Sequence, residues 1–105
     1  MEEFKLTIED FFAFDKSEIT GLFLLDTGDK FWFKEGKRHR LDGPAFEPMT
    51  GNKFWYKEGK RHRLDGPAIE YSDGSKSWWI EGKQYTEEEW KRLSFAILNN
   101  LEVFL

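Results

Sequence analysis

His39 and His62 are the only histidines in the chain, and each sits in a basic tetrapeptide, Lys37-Arg38-His39-Arg40 and Lys60-Arg61-His62-Arg63. An imidazole among cations could transfer protons, ligate a metal or help to hold an anion. Catalysis, however, needs an asymmetric arrangement, with a nucleophile beside a base and a third group to orient that base. Here the two histidines are equivalent, 62 − 39 = 23 residues apart within near-identical sequence. Residues that do one job twice fit a structural role, each imidazole hydrogen-bonded to a local backbone group or to Asp42 or Asp65. No Gly-rich phosphate loop, metal-binding His pair or asymmetric carboxylate pair accompanies them. The residues point away from an enzyme, a metal site and any cofactor.

The cations around the histidines are the stronger candidates for binding: Lys37, Arg38, Arg40, Lys60, Arg61 and Arg63. Arg40 is expected to pair with Asp42, and Arg63 with Asp65 or with a neighbouring unit's acid, because arginine–carboxylate forks lock repeated loops. Lys37, Arg38, Lys60 and Arg61 would then project to solvent as a row. Such a row suits an acidic protein surface, a lipid headgroup layer or a nucleic-acid backbone. The net charge of −4 hides this division. Residues 1–29 carry eight acidic and two basic groups, residues 30–76 seven and eleven, and residues 77–105 five and three, giving −6, +4 and −2. The total of −4 weighs against nucleic acid as the principal ligand.

The elements that carry these residues follow from the repeat. Trp32, Trp55 and Trp78 keep the 23-residue spacing, as do Gly36, Gly59 and Gly82, and Gly28, Gly51 and Gly74. Units of this length cannot bury their apolar face alone and must stack on copies of themselves. Leu22–Asp26, Thr27–Asp29 and Lys30–Lys34 read as strand, tight turn and strand, with glycine supplying the positive φ of the turn. The same pattern recurs over Ala45–Lys57 and Ala68–Ile80. Glu35-Gly36-Lys37 and Glu58-Gly59-Lys60 form a second kind of turn. The following Asp-Gly-Pro segments cannot be central strand, since proline lacks the donor. Strand alternation predicts Trp32, Trp55 and Trp78 on one face and Phe31, Phe33, Phe54 and Tyr56 on the other.

At the N-terminus, Phe4–Asp10 alternates like a half-buried strand. Phe11–Phe14 could extend it or form a helical turn, with Asp10 or Asp15 as a cap. At the other end, Thr86-Glu87-Glu88-Glu89 is a capping box, and Trp90, Leu93, Ile97, Leu101 and Phe104, broadened by Phe95, Ala96 and Leu98, predict a helix over Glu87–Leu98. That helix would cap the last unit, leaving Leu101–Leu105 as an apolar tail that packs back or meets a partner. The 105 residues are expected to form one domain: an N-terminal segment 1–21, repeats 22–85, and helix with tail 86–105. Without cysteine there can be no disulfide. No apolar run approaches the roughly 20 residues of a membrane span, and the start lacks a signal-peptide pattern, so a cytoplasmic location is expected.

The unit Trp-x-x-x-Gly-Lys-x-His-Arg-x-Asp-Gly-Pro-Ala resembles the MORN repeat, in a variant found in small proteins of bacteriophages, bacteria and giant viruses. The resemblance covers about residues 22–85. The usual MORN loop has His-Gly-x-Gly where this chain has His-Arg-Leu-Asp-Gly-Pro, and residues 1–21 and 86–105 lie outside it. It implies a mainly β fold, an antiparallel meander of stacked β-hairpin repeats closed by the C-terminal helix. MORN-type repeats are associated with scaffolding, dimerisation and acidic phospholipid binding. The expectation is therefore a protein–protein interaction module, in its specific form a small phage-type inhibitor that occludes a host enzyme with an acidic surface, such as a defence nuclease. The alternatives are a binder of anionic lipid or nucleic acid through the basic face, or a self-assembling protein that dimerises through an edge strand or the C-terminal tail.

Overall fold

The computed structural model describes residues 2–13 and 15–100. Its strands are β1 (Glu3–Leu6), β2 (Gly21–Leu25), β3 (Lys30–Lys34), β4 (Lys37–Arg38), β5 (Phe46–Glu47), β6 (Lys53–Phe54), β7 (Tyr56–Lys57), β8 (Lys60–Arg61), β9 (Ile69–Glu70), β10 (Lys76–Ile80) and β11 (Lys83–Tyr85). Two helices complete it, α1 (Ile8–Ala13) and α2 (Glu87–Leu98). The main sheet runs β1-β2-β3-β5-β6-β9-β10-β11, with β4 beside β3, while β7 and β8 pair separately. The fold is mainly β, and every pairing is antiparallel except that of β1 with β2.

The parallel β1 departs from the expected antiparallel arrangement, and it is shorter than the alternation of Phe4–Asp10 suggests. The reason is Thr7. Its hydroxyl accepts the Asp10 N–H at 3.1 Å and its carbonyl the Phe11 N–H at 3.0 Å, starting α1 where the strand pattern would continue. Asp26 accepts the Ile8 N–H at 3.1 Å. Neither Asp10 nor Asp15 caps α1; Asp15 closes a turn onto the Ser17 N–H. Phe14 lies outside the described residues, as do Leu101–Leu105 and the tail expected there.

Register decides which side chains share a face. Phe23 lies opposite Phe31, Phe31 opposite Phe46, Phe46 opposite Phe54, Phe54 opposite Ile69, and Ile69 opposite Ser77. Directly opposed residues point the same way, so these form one continuous face, here called the phenyl face. Trp32 and Trp78, one position along from Phe31 and Ser77, point to the other side. On the phenyl face, rings stack from Phe31 to Phe46 at 4.3 Å between centroids and from Phe46 to Phe54 at 5.4 Å.

The helices cover opposite faces at opposite ends. Phe11 of α1 packs at 4.8 Å on Phe31 and edge-on to Phe23, which is fully buried. Trp90 of α2 rests at 4.6 Å on Trp78, with Ile80 and Leu93 beside it. The expected capping box is present at α2: Thr86 Oγ1 accepts the Glu89 N–H at 3.2 Å, and the Glu89 carboxylate accepts the Thr86 N–H at 3.0 Å. The apolar stripe is narrower than predicted. Trp90, Leu93 and Ala96 are buried, whereas Phe95, Ile97 and Leu98 are exposed, because α2 lies chiefly on β10 and β11 and only one side of it is covered.

Candidate interaction face

The basic tetrapeptides follow two-residue turns. Glu35 and Gly36 have φ of 48° and 78°, Glu58 and Gly59 50° and 81°, and Glu81 and Gly82 49° and 83°. Two successive positive φ values make a type I′ turn, whose twist matches an antiparallel strand pair. These turns join Lys34 to Lys37, Lys57 to Lys60 and Ile80 to Lys83. Gly36 has no substitute, because a Cβ there would run into the Ser17 carbonyl.

Each turn is held by residues well before it in the chain, about 20 positions before the second and third turns and fewer before the first. The Glu58 N–H donates to His39 Nδ1 and the Glu81 N–H to His62 Nδ1, both at 3.0 Å. Beside them, the Gly59 N–H donates to the Arg38 carbonyl and the Gly82 N–H to the Arg61 carbonyl, both at 2.8 Å. The histidines thus have the backbone partners of a structural role, but these are distant in sequence, and Asp42 and Asp65 are not among them. The first turn has no histidine before it. There the Glu35 N–H donates to Thr20 Oγ1 and the Gly36 N–H to the Ile19 carbonyl, each at 3.0 Å.

An Nδ1 that accepts an amide proton carries none itself, so both imidazoles are neutral with the proton on Nε2. Burial pushes His62 below its ordinary value; the Glu81 carboxylate, 3.5 Å away, opposes this, and Lys57 reinforces it. Lys34, hydrogen-bonded to Glu58 at 3.2 Å, holds that carboxyl below the usual range. Lys57 makes the equivalent ion pair with Glu81 at 3.7 Å. These lysine pairs span 24 residues, one more than the repeat, which hides them from a search for equivalent positions.

Arg40 and Arg63 are held within the protein. Their Nε atoms donate to Asp42 at 3.0 Å and Asp65 at 2.7 Å, and their Nη1 atoms to the carbonyls of Pro44 and Pro67 at 3.2 and 3.1 Å. Glu47 and Glu70 stand within 3.8 and 3.5 Å as second anions. The guanidinium of Arg40 lies 4.1 Å from the Trp32 ring and that of Arg63 3.8 Å from the Trp55 ring. Only 25% and 19% of these side chains is exposed, so most of their donor capacity is already used.

The other four cations form two rows instead of one. Arg38 lies opposite Phe33, on the phenyl face, where its guanidinium sits 5.3 to 5.7 Å from the rings of Tyr56, Phe31 and Phe46. Arg61 lies opposite Tyr56 and stacks at 4.7 Å on Trp79. Lys37 and Lys60, opposite Lys34 and Lys57, leave on the other side, their stems against Gly59 and Gly82. Strand alternation makes this split unavoidable. Among the described residues, Lys37, Arg38, Lys60 and Arg61 form no ion pair. A shallow depression lined by Tyr56, Gly59, Lys60, Arg61, Trp79 and Gly82 runs between the two turns.

No protein family, curated protein or solved structure matches the chain. Among the described residues, no group of three or more His, Asp or Glu side chains could hold a metal ion, and no helix is long and apolar enough to cross a membrane.

Proposed function

We propose that this chain is a non-enzymatic protein-interaction module, a stack of MORN-like hairpin units that binds an acidic protein surface in the cytoplasm. The observation that carries the reading is the pair Arg38 and Arg61. Among the described residues both lie on aromatic rings without a carboxylate partner, whereas Arg40 and Arg63 in the same tetrapeptides are paired. A guanidinium held on a ring keeps its edge donors free and loses little side-chain entropy on binding, which favours recognition of carboxylates. The small, charge-divided chain fits a phage-type inhibitor that occludes a host enzyme, a defence nuclease in particular.

A second reading has its own support. Tyr56 and Trp79 beside Arg61 and Lys60 also suit an anionic polymer or headgroup, such as nucleic acid or acidic phospholipid. Affinity capture from nuclease-treated bacterial lysate, comparing the native chain with an Arg38→Ala, Arg61→Ala variant of unchanged circular dichroism, separates the two. The module reading predicts one protein that the native chain retains and the variant loses. Recovery of binding only when nucleic acid or anionic vesicles are restored would replace it with the second reading.

A further inference from the structure

We infer that β1 is an association edge, and that its occupant is the β1 strand of a second copy of this chain, paired antiparallel about a two-fold axis through Phe4. The inference is independent of the basic residues discussed above and begins with the backbone. In the parallel pairing of β1 with β2, the Leu22 N–H donates to the Glu2 carbonyl at 2.8 Å and the Asp26 N–H to the Leu6 carbonyl at 2.9 Å. Parallel strands use alternate residues for each neighbour, so the even-numbered residues face β2. The N–H and C=O groups of Glu3 and Lys5 point outward, at the end of the main sheet. Unpaired groups of this kind are a template for another strand.

An isolated edge often carries a lysine that prevents such pairing. Lys5 would serve that purpose, but Glu3 stands two residues before it. Both side chains are exposed and form no hydrogen bond or ion pair among the described residues. They leave the same face of the strand, so their effect depends on register. Outward-facing residues must oppose outward-facing residues, which leaves three antiparallel registers for β1 against its copy. One sets Glu3 against Glu3 of the second copy, and one sets Lys5 against Lys5. Each places like charges directly opposite. The third sets Glu3 against Lys5 twice, forms both outward hydrogen-bonded pairs, and brings Phe4 against its own copy on the axis. Only this register opposes unlike charges. Such an isologous contact also closes on itself and cannot grow into a fibre.

Phe4 adds an apolar contribution. Its ring is half-buried and stacks at 4.8 Å on Phe23, the most buried large side chain of the core. On the axis, two Phe4 rings would join the phenyl faces of both copies. A strand of four residues makes a small contact, so the association is expected to be concentration-dependent.

The test is the mass of the full chain by light scattering or sedimentation over a concentration series. The native chain should rise from monomer towards twice the monomer mass. Glu3→Lys and Lys5→Glu should each remain monomeric, because either change sets like charges opposite. An equimolar mixture of these two variants should dimerise, as should the double exchange Glu3→Lys, Lys5→Glu. Lys5→Pro, which removes an outward donor and no internal one, should be monomeric with unchanged circular dichroism. The inference is overturned if the native chain stays monomeric throughout, if the Lys5→Pro variant still dimerises, or if the mixed variants fail to associate while each is folded.

Discussion

His62 Nδ1 accepts the backbone N–H of Glu81 at 3.0 Å, across 19 residues of sequence, and thereby fixes a turn whose Glu81 has a φ of 49°. A β-substituted residue in this left-handed region is strained by about 1 kcal/mol or more, so the imidazole stabilises a conformation that the turn would otherwise hold poorly.

Protonation of His62 should therefore weaken the fold. Its folded-state value lies below the ordinary 6.5, chiefly because of burial, so the unfolded chain binds the proton more readily. This contribution to stability is complete above 6.5 and is lost as pH falls from there through the folded value. The urea midpoint should decline over that window, and His62→Gln should flatten the decline. The carboxylates of Glu58, Glu89, Asp15 and Asp73, whose values are lowered, add a second loss at more acidic pH, below about 4.5 for the glutamates and 3.8 for the aspartates.

Removing the imidazole at either position leaves a turn amide without its acceptor. His39→Ala and His62→Ala should each cost about 0.5–1.5 kcal/mol, measured by urea unfolding at neutral pH. Binding to a partner, measured where both variants remain folded, should change little.

The arginines should divide by role. Arg63→Ala removes the hydrogen bonds to Asp65 and Pro67 and the contact with Trp55, and should cost about 1–3 kcal/mol of stability. Arg61→Ala loses only the stack on Trp79, about 0.5–1 kcal/mol, yet should weaken partner binding more. Thermal unfolding beside a binding titration compares the two losses directly.

Glycine positions give a further comparison. Gly36→Ala meets the Ser17 carbonyl and a φ of 78°, whereas Gly74→Ala meets a φ of 92° and open space. Gly74→Ala should cost about 1–2 kcal/mol from backbone strain alone. Gly36→Ala should cost distinctly more, since the N-terminal segment must move away, and calorimetric Tm values should rank them in that order.

Local signals in the sequence were sufficient for several elements. The capping box and the three- and four-residue steps from Trp90 located α2, and the glycine turns located the strands from Gly21 to Lys34. Alternation also separated Trp32 from Phe31 and Phe33. It misled at Thr7, where the strand pattern of Phe4–Asp10 continues although a hydroxyl cap starts α1. The parallel direction of β1 depends on where the chain re-enters after residue 20, which no local pattern encodes. At the candidate site, the Arg40–Asp42 and Arg63–Asp65 forks were legible because their partners are two residues apart. The histidine contacts were not, because the acceptor and donor belong to different turns. Nor did the basic tetrapeptides reveal that Arg38 and Lys37 leave opposite sides of β4.

The two helices rest on different strands, α1 on β2 and β3, and α2 on β10 and β11, each on its own side of the sheet. Strands β6 to β9 contribute to neither core, although Phe46 of β5 packs against the first and Leu64, in the loop before β9, against the second. The interior is therefore free to vary in extent while the ends stay as they are. Duplicating residues 47–69 should give a chain one period longer, with both terminal cores intact and a third Arg-on-ring position in line with Arg38 and Arg61. Span, and with it the number of anchoring cations offered to a partner, would then be an inherited variable separate from foldability.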